Sequence, residues 1–161
     1  DSAGDWAASG TVDAKLLGAM QGDPYFALAP PKSSGRDRFN PQWLERALAS
    51  APAREARDVQ ATLAELTARV CATDVLRHAG TAGELLVCGG GAFNDHLIRR
   101  LSALLPGVSV VRTDVRGLPA TQFEAAAFAW LACAHCERRT ANMPAVTGAA
   151  GARVLGALYP A

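Results

Sequence analysis

The chain has 161 residues, half of them apolar, and a formal charge of +1 with acids and bases interspersed. That is length enough for one domain with a core, and the balanced charge leaves no basic stripe for nucleic acid and no polybasic patch for a membrane surface. The apolar runs are broken well short of the roughly 18 residues a membrane span needs, and residues 1–30 lack a basic-then-apolar signal, so a soluble, cytoplasmic protein is expected.

In chain order, residues 11–20 predict a short helix with Thr11 as its cap, followed by a loop rich in Pro, Gly and Ala. The proline pair in Pro30-Pro31-Lys32-Ser33-Ser34-Gly35-Arg36 forbids a helix and predicts an exposed turn. Asn40 and Pro41 then read as a cap and first helical residue, opening a short helix that ends near Ser50. Residues 55–79 carry the clearest helical pattern, with Val59, Leu63, Leu66, Val70 and Leu76 on a core-facing stripe. A strand over 85–88, a helix over 94–105, a strand over 108–112 and an Ala-rich helix over 122–138 follow. The Gly- and Pro-rich tail, 139–161, contains an apolar stretch at 153–158 expected to pack back.

Strands alternating with helices predict an α/β fold with parallel pairing. Two strands make a poor parallel sheet, because such sheets are normally buried on both faces. The rest of the sheet is therefore expected in sequence upstream of Asp1, and the chain is read as a fragment. Its parts are a helical and loop segment at 1–50, a helix-strand-helix-strand-helix core at 55–138, and the tail.

Candidate chemistry starts at Gly89-Gly90-Gly91, between an apolar strand and a helix capped by Asn94. A strand that ends in glycines and feeds a helix presents backbone N–H groups and a positive dipole end, which suits a phosphate or nucleotide; a plain tight turn is the alternative. Gly-x-Gly-x-x-Asn with Asp114 after the next strand partly matches a dinucleotide fingerprint, but lacks its third glycine. No Gly-Lys-Ser/Thr follows, so it is not a phosphate-binding P-loop. Cys133 and Cys136 have metal-pair spacing, but they lie at a helix carboxyl end with no second pair; buried packing or chance spacing is expected, and no residue is assigned to a metal. The four cysteines are expected to be reduced. His78 and His96 are read as solvated or capping. Glu124 is a lone acid at a helix start, where dipole stabilisation explains it as well as function does.

Taken together, the motifs resemble the anhydro-N-acetylmuramic acid kinases of the actin-like, sugar-kinase and chaperone ATPase superfamily. The resemblance rests on Pro31 to Arg36 with Phe39-Asn40 and Trp43-Leu44; Asp58-Val59-Gln60-Ala61-Thr62-Leu63; and Val87-Cys88-Gly89-Gly90-Gly91-Ala92-Phe93-Asn94. It continues through Asp114 with Gly117, Glu124-Ala125, residues 127–132 and Asn142 to Ala149. It implies the C-terminal portion of such an enzyme, a ribonuclease H-like ATPase lobe with helices around a partial parallel sheet.

By resemblance, ATP with Mg²⁺ and an anhydro-amino-sugar are the partners, and the reaction opens the 1,6-anhydro ring and phosphorylates O6 during cell-wall recycling. Gly89, Gly90, Gly91 and Asn94 are then the nucleotide side, Glu124 a substrate-side acid, and the catalytic aspartate lies upstream with the missing N-terminal lobe. Alone, the chain is expected to be inactive and to bind nucleotide weakly at best. A homodimer is a further expectation. Thr121-Gln122-Phe123 departs from the family's acidic, Lys-containing approach to Glu124. A non-catalytic nucleotide- or dinucleotide-binding module is the other function the same residues allow.

Overall fold

Asp13, not Thr11, caps the helix expected at 11–20. In the computed structural model, which describes residues 1–49 and 54–159, Asp13 Oδ1 accepts from Leu16 N at 2.9 Å and starts α2 (Ala14–Gln21). Thr11 instead donates its N–H to Asp58 Oδ1 at 2.7 Å, because Asp58 lies alongside on α4 (Ala56–Ala79). The Arg54 guanidinium on the other carboxylate oxygen holds Asp13 down to about 2. A helix that sequence patterning missed, α1 (Asp5–Ser9), precedes it; five residues are too few to show a period. Gly10 ends α1 directly against α4, where a Cβ would lie 2.1 Å from the Arg57 carbonyl oxygen. Only glycine allows that approach.

α3 (Pro41–Ala49) starts as expected, with Asn40 Oδ1 accepting from Trp43 N at 2.8 Å. Its expected end near Ser50 lies outside the described residues. The core forms where α2 meets α4: Leu16, Leu17, Met20 and Leu66 are buried, with Trp43, Leu44, Val59, Leu63 and Val70 packed around them. Leu76, the last member of the expected stripe, is instead 53% exposed. The buried residues of α4 end at Ala72, and besides Leu66 its buried apolar residues are small: Ala61, Ala68 and Ala72.

The α/β expectation holds. β1 (Glu84–Val87) and β2 (Ser109–Arg112) pair in parallel, with Glu84 opposite Ser109 and Val87 opposite Arg112. α5 (Asp95–Leu104) makes the crossover and packs on both α4 and β2. Among the described residues the sheet has these two strands, and Leu86 in β1 remains 41% exposed. The pair is thus an incomplete layer by the standard of parallel sheets, which are covered on both faces.

Between α4 and α5 the contact is ionic. Glu65, whose side chain is 3% exposed, accepts from Arg100 Nε at 2.7 Å and Nη2 at 3.1 Å, and from Arg69 Nε at 2.7 Å.

α6 (Phe123–Cys136) is apolar on nearly every side, yet Ala134 is its one buried residue, and Phe128 and Trp130 are 67% and 51% exposed. It stops in a Schellman arrangement: Arg138 N donates to His135 O at 3.0 Å and Arg139 N to Ala134 O at 2.8 Å. Arg138 holds φ +55° there, a left-handed conformation that costs a side-chain-bearing residue about 1–2 kcal/mol. Arg138→Gly is therefore expected to raise stability by up to about 1 kcal/mol after glycine's own entropic cost, a gain readable in urea denaturation.

The tail returns to α6 at His135, but the apolar side chains expected to pack back stay open, with Val154, Leu155 and Leu158 39%, 38% and 78% exposed. Ala141 N donates to Arg153 O, Asn142 bridges Gly151 O and Arg153 N, and His135 Nδ1 lies 2.9 Å from the Leu155 carbonyl. It carries α7 (Pro144–Thr147), whose C-cap Gly148 sits against Pro31.

Candidate functional site

Gly89 leaves β1 at φ +74°, ψ −171°, a region that is essentially glycine's alone. Its N–H donates to the Ala120 carbonyl at 2.9 Å. Residues Gly90–Phe93 then form a 3₁₀ turn, and Asn94 caps α5 by accepting from Leu97 N at 2.9 Å. The amides of Gly90 and Gly91 open this turn, where the first N–H groups of any helix lack an internal acceptor, and among the described residues no backbone or side-chain acceptor takes them. Space above them is open: a Cβ at Gly90 would meet nothing within 4 Å, and one at Gly91 only Leu97 Cδ2 at 3.9 Å. Two unpaired amides under open space, at the carboxyl end of a parallel strand, fit a phosphate or ribose oxygen.

Asn94 belongs to the turn's support. Its Oδ1 is committed to the α5 cap, and Gly4 is pressed against it so closely that a Cβ there would lie 2.1 Å from Oδ1. The Ala3 carbonyl accepts from His96 N, so residues 3 and 4 of the chain buttress the start of α5. That contact places His96 in the packing of α5, while His78 is exposed.

Asp114 sits in a 3₁₀ turn, Thr113–Arg116, directly after β2. Its Oδ2 accepts from Ala120 N at 3.3 Å and lies 4.0 Å from Arg112 Nε. Arg112 also stands over the Phe93 ring, 5.1 Å from its centroid. The two strand ends therefore bring the glycine turn, Asp114 and the segment leading into α6 together at one edge.

Glu124 lies in the first turn of α6, exposed, with no hydrogen bond or ion pair to any described residue. Three residues separate Ala120, which is bound to both Gly89 and Asp114, from Glu124.

The other sequence candidates fall elsewhere. Lys32 pairs with Asp74 at 3.2 Å and lies over the Tyr25 ring, anchoring the Pro31 to Arg36 turn to α4; Arg36 is exposed. A cavity of about 410 Å³ opens beside Lys32, lined by Tyr25, Phe26, Phe39, Trp43 and Val70, and it includes none of the glycines, Asp114 or Glu124. All four cysteines are free, and Cys133 and Cys136 are exposed rather than packed: α6 turns that face to solvent. Cys133 Sγ instead contacts Glu137 Oε1 at 3.4 Å. Among the described residues no group of three His, Cys, Asp or Glu side chains converges on a point.

The sequence pattern of the anhydro-N-acetylmuramic acid kinase family matches residues 1–161, the full chain. The chain belongs to the anhydro-N-acetylmuramic acid kinase family. It is 60% identical over 161 residues to the anhydro-N-acetylmuramic acid kinase of Variovorax paradoxus, covering all of this chain and 43% of that relative. The kinases of that name from Xanthomonas campestris pv. campestris and Pseudomonas paraeruginosa are 53% and 52% identical over the whole chain, with 42% and 44% of their own lengths covered. The chain thus spans less than half the length of these anhydro-N-acetylmuramic acid kinases. These shares give the extent of the overlap and do not support its placement at the carboxyl end of the kinase.

Proposed function

We propose that this chain forms the nucleotide side of a kinase that opens the 1,6-anhydro ring of anhydro-N-acetylmuramic acid and transfers the γ-phosphoryl group of ATP to O6, giving N-acetylmuramic acid 6-phosphate. One observation carries the reading beyond family membership: the unpaired Gly90 and Gly91 amides under open space, tied through Ala120 to the helix that bears Glu124. A cytoplasmic location belongs to the same reading. No helix among the described residues is long and apolar enough to cross a membrane.

In the proposed reaction a water adds to the anomeric carbon, the bond from that carbon to O6 breaks, and O6 attacks the γ-phosphorus while the bond to the β-phosphate oxygen breaks. A carboxylate takes the proton from the water. Gly90 and Gly91 hold nucleotide oxygens by their amides, and the glycines let the main chain lie against them without a Cβ between. In this reading Glu124, exposed and without a partner among the described residues, binds a sugar hydroxyl. Mg²⁺, when bound, neutralises phosphate charge. The catalytic aspartate, the first phosphate loop and the rest of the sheet belong to the part of the polypeptide beyond this chain.

The dinucleotide alternative gains nothing from the geometry, since Asp114 is turned to Ala120 N and Asn94 to its cap.

The test is mass spectrometry of 1,6-anhydro-N-acetylmuramic acid and Mg-ATP incubated with a polypeptide of the relatives' length, with this chain as control. The 6-phosphate from the longer protein alone supports the kinase and the divided cleft together. Absence of product from both, with tight NAD binding, overturns the kinase in favour of a dinucleotide-binding module. Extending the chain at each end separately locates the other lobe: turnover restored from the amino side agrees with the order of the motifs, and restoration only from the carboxyl side reverses it. Sedimentation of the active protein tests the homodimer.

A further inference from the structure

We propose that Asp114 is a positioning residue that sets the glycine turn and the start of α6 relative to one another, so that nucleotide and sugar contacts form as a unit. This rests on the kinase reading for its functional consequence.

Two connections from one carboxylate carry the inference. Asp114 Oδ2 accepts from Ala120 N at 3.3 Å, and the carbonyl of that same residue, Ala120, accepts from Gly89 N at 2.9 Å. Ala120 is 2% exposed, so its peptide group is covered, while the Asp114 side chain that accepts from it is 43% exposed and meets water on its outer side. The second connection runs through Arg112, 4.0 Å from Asp114 Oδ2 and stacked over Phe93 inside the glycine turn.

Asp114 is itself held on its own backbone. Gly117 N donates to the Asp114 carbonyl at 3.0 Å while Gly117 takes φ +79°, and Leu118 N donates to Thr113 O, closing a tight turn directly after β2. The carboxylate is thereby fixed to the sheet, Ala120 to the carboxylate, and Gly89 to Ala120. From Ala120 the chain passes through a single 3₁₀ turn, with Gln122 N on Pro119 O at 2.8 Å, into α6 and Glu124. A shift of Ala120 displaces both sides of the site at once.

The role needs an acceptor oxygen, not a negative charge that touches substrate or metal, and this separates it from a ribose-binding or metal-binding acid. In the longer polypeptide, Asp114→Ala is expected to raise the KM for ATP and for the anhydro-sugar each by up to about tenfold, the worth of one part-buried hydrogen bond, with kcat changed much less. Asp114→Asn, whose amide oxygen can still accept from Ala120 N, is expected to restore both to within about threefold. Hydrogen exchange gives a readout independent of catalysis: the Ala120 and Gly89 amides should exchange about tenfold faster in Asp114→Ala and at near-native rates in Asp114→Asn.

Equal damage to KM from Asn and Ala, with the Ala120 and Gly89 amides still protected in Asp114→Asn, overturns the proposal and makes the charge itself the working feature. An Asp114→Ala protein with native KM values and native exchange overturns it as well. If the unsubstituted protein transfers no phosphate while the exchange pattern appears as stated, the kinase reading fails and the positioning link stands.

Discussion

Glu65→Ala is expected to destabilise the fold by about 3 kcal/mol, measured as a lower urea midpoint with Trp43 fluorescence as the signal. The Glu65 carboxylate is 3% exposed and takes three N–H donors from two arginines on two helices, the Arg100 pair as a fork. Removing one partner of a buried ionic contact typically costs about 3–5 kcal/mol. The lower end applies because Arg69 and Arg100 are 44% and 37% exposed and can turn to water once released. Replacing Glu65 and Arg100 together by leucine should recover most of the loss, since an apolar pair of similar volume is often as stable as the ions. If Glu65→Ala alone costs under about 0.5 kcal/mol, the size of an ordinary surface change, α4 and α5 are held by packing and not by this contact.

The same contact sets a pH dependence. Hydrogen bonding from Arg100 lowers the Glu65 pKa, so its contribution is fully present above the ordinary glutamate value and is lost as pH falls through the lowered folded value. Asp13, held down to about 2 chiefly by Arg54, acts in the same direction between its ordinary value of 3.8 and that point. Acid titration of the denaturation midpoint should therefore show stability falling below about pH 4.5, and Glu65→Ala should flatten that fall.

Gly90→Ala is expected to leave stability within about 0.5 kcal/mol of the parent and to weaken ATP binding about tenfold or more in the complete protein. The site makes the two effects separable. Gly90 has no positive φ, and a Cβ there would have nothing within 4 Å, so the fold has room for the side chain. On the proposed reading the methyl takes up open space beside the unpaired amides that a nucleotide would otherwise occupy. Gly89→Ala behaves differently, since φ +74° with ψ −171° strains any other residue by about 1–3 kcal/mol, and its loss of binding would come with a loss of stability. Calorimetric titration with ATP beside thermal unfolding distinguishes them. Native ATP affinity in Gly90→Ala would leave the three glycines as a plain turn.

The strongly patterned elements were legible from the sequence. The 55–79 stripe, the Asn40 and Asn94 caps and the alternation of 85–88, 94–105 and 108–112 all describe local chemistry, and α4, α5, β1 and β2 follow them within a residue or two at most of their ends. What was not legible came from neighbours distant in sequence. Thr11 has a cap's chemistry, but Asp58, forty-seven residues away, takes its N–H, and Asp13 caps instead. Leu76 fits the apolar period of α4, yet it is left exposed because the buried residues of that helix end at Ala72.

For the candidate site, the strand-to-glycine turn was readable because positive φ and missing Cβ leave a mark in composition. The part played by Ala120 was invisible, because it works through its peptide group and any residue has one. Glu124 could be picked out as a lone acid in an apolar stretch, but its freedom from partners is a fact of three dimensions. For the cysteine pair the sequence allows packing or chance spacing, and the exposure of both thiols on α6 removes packing and leaves chance spacing.

That uncovered helix makes the behaviour of this chain in water a matter of concentration. Phe128, Trp130 and their neighbours place apolar area in contact with solvent, and water is relieved of it by whatever apolar surface arrives first. Within a longer polypeptide the arriving surface is tethered, and its local concentration does not change on dilution. Between separate copies the encounter rate rises with the amount of protein present. Diluting a preparation therefore favours the tethered encounter over the bimolecular one, and light scattering that grows faster than linearly with concentration would be the signature of α6 meeting α6.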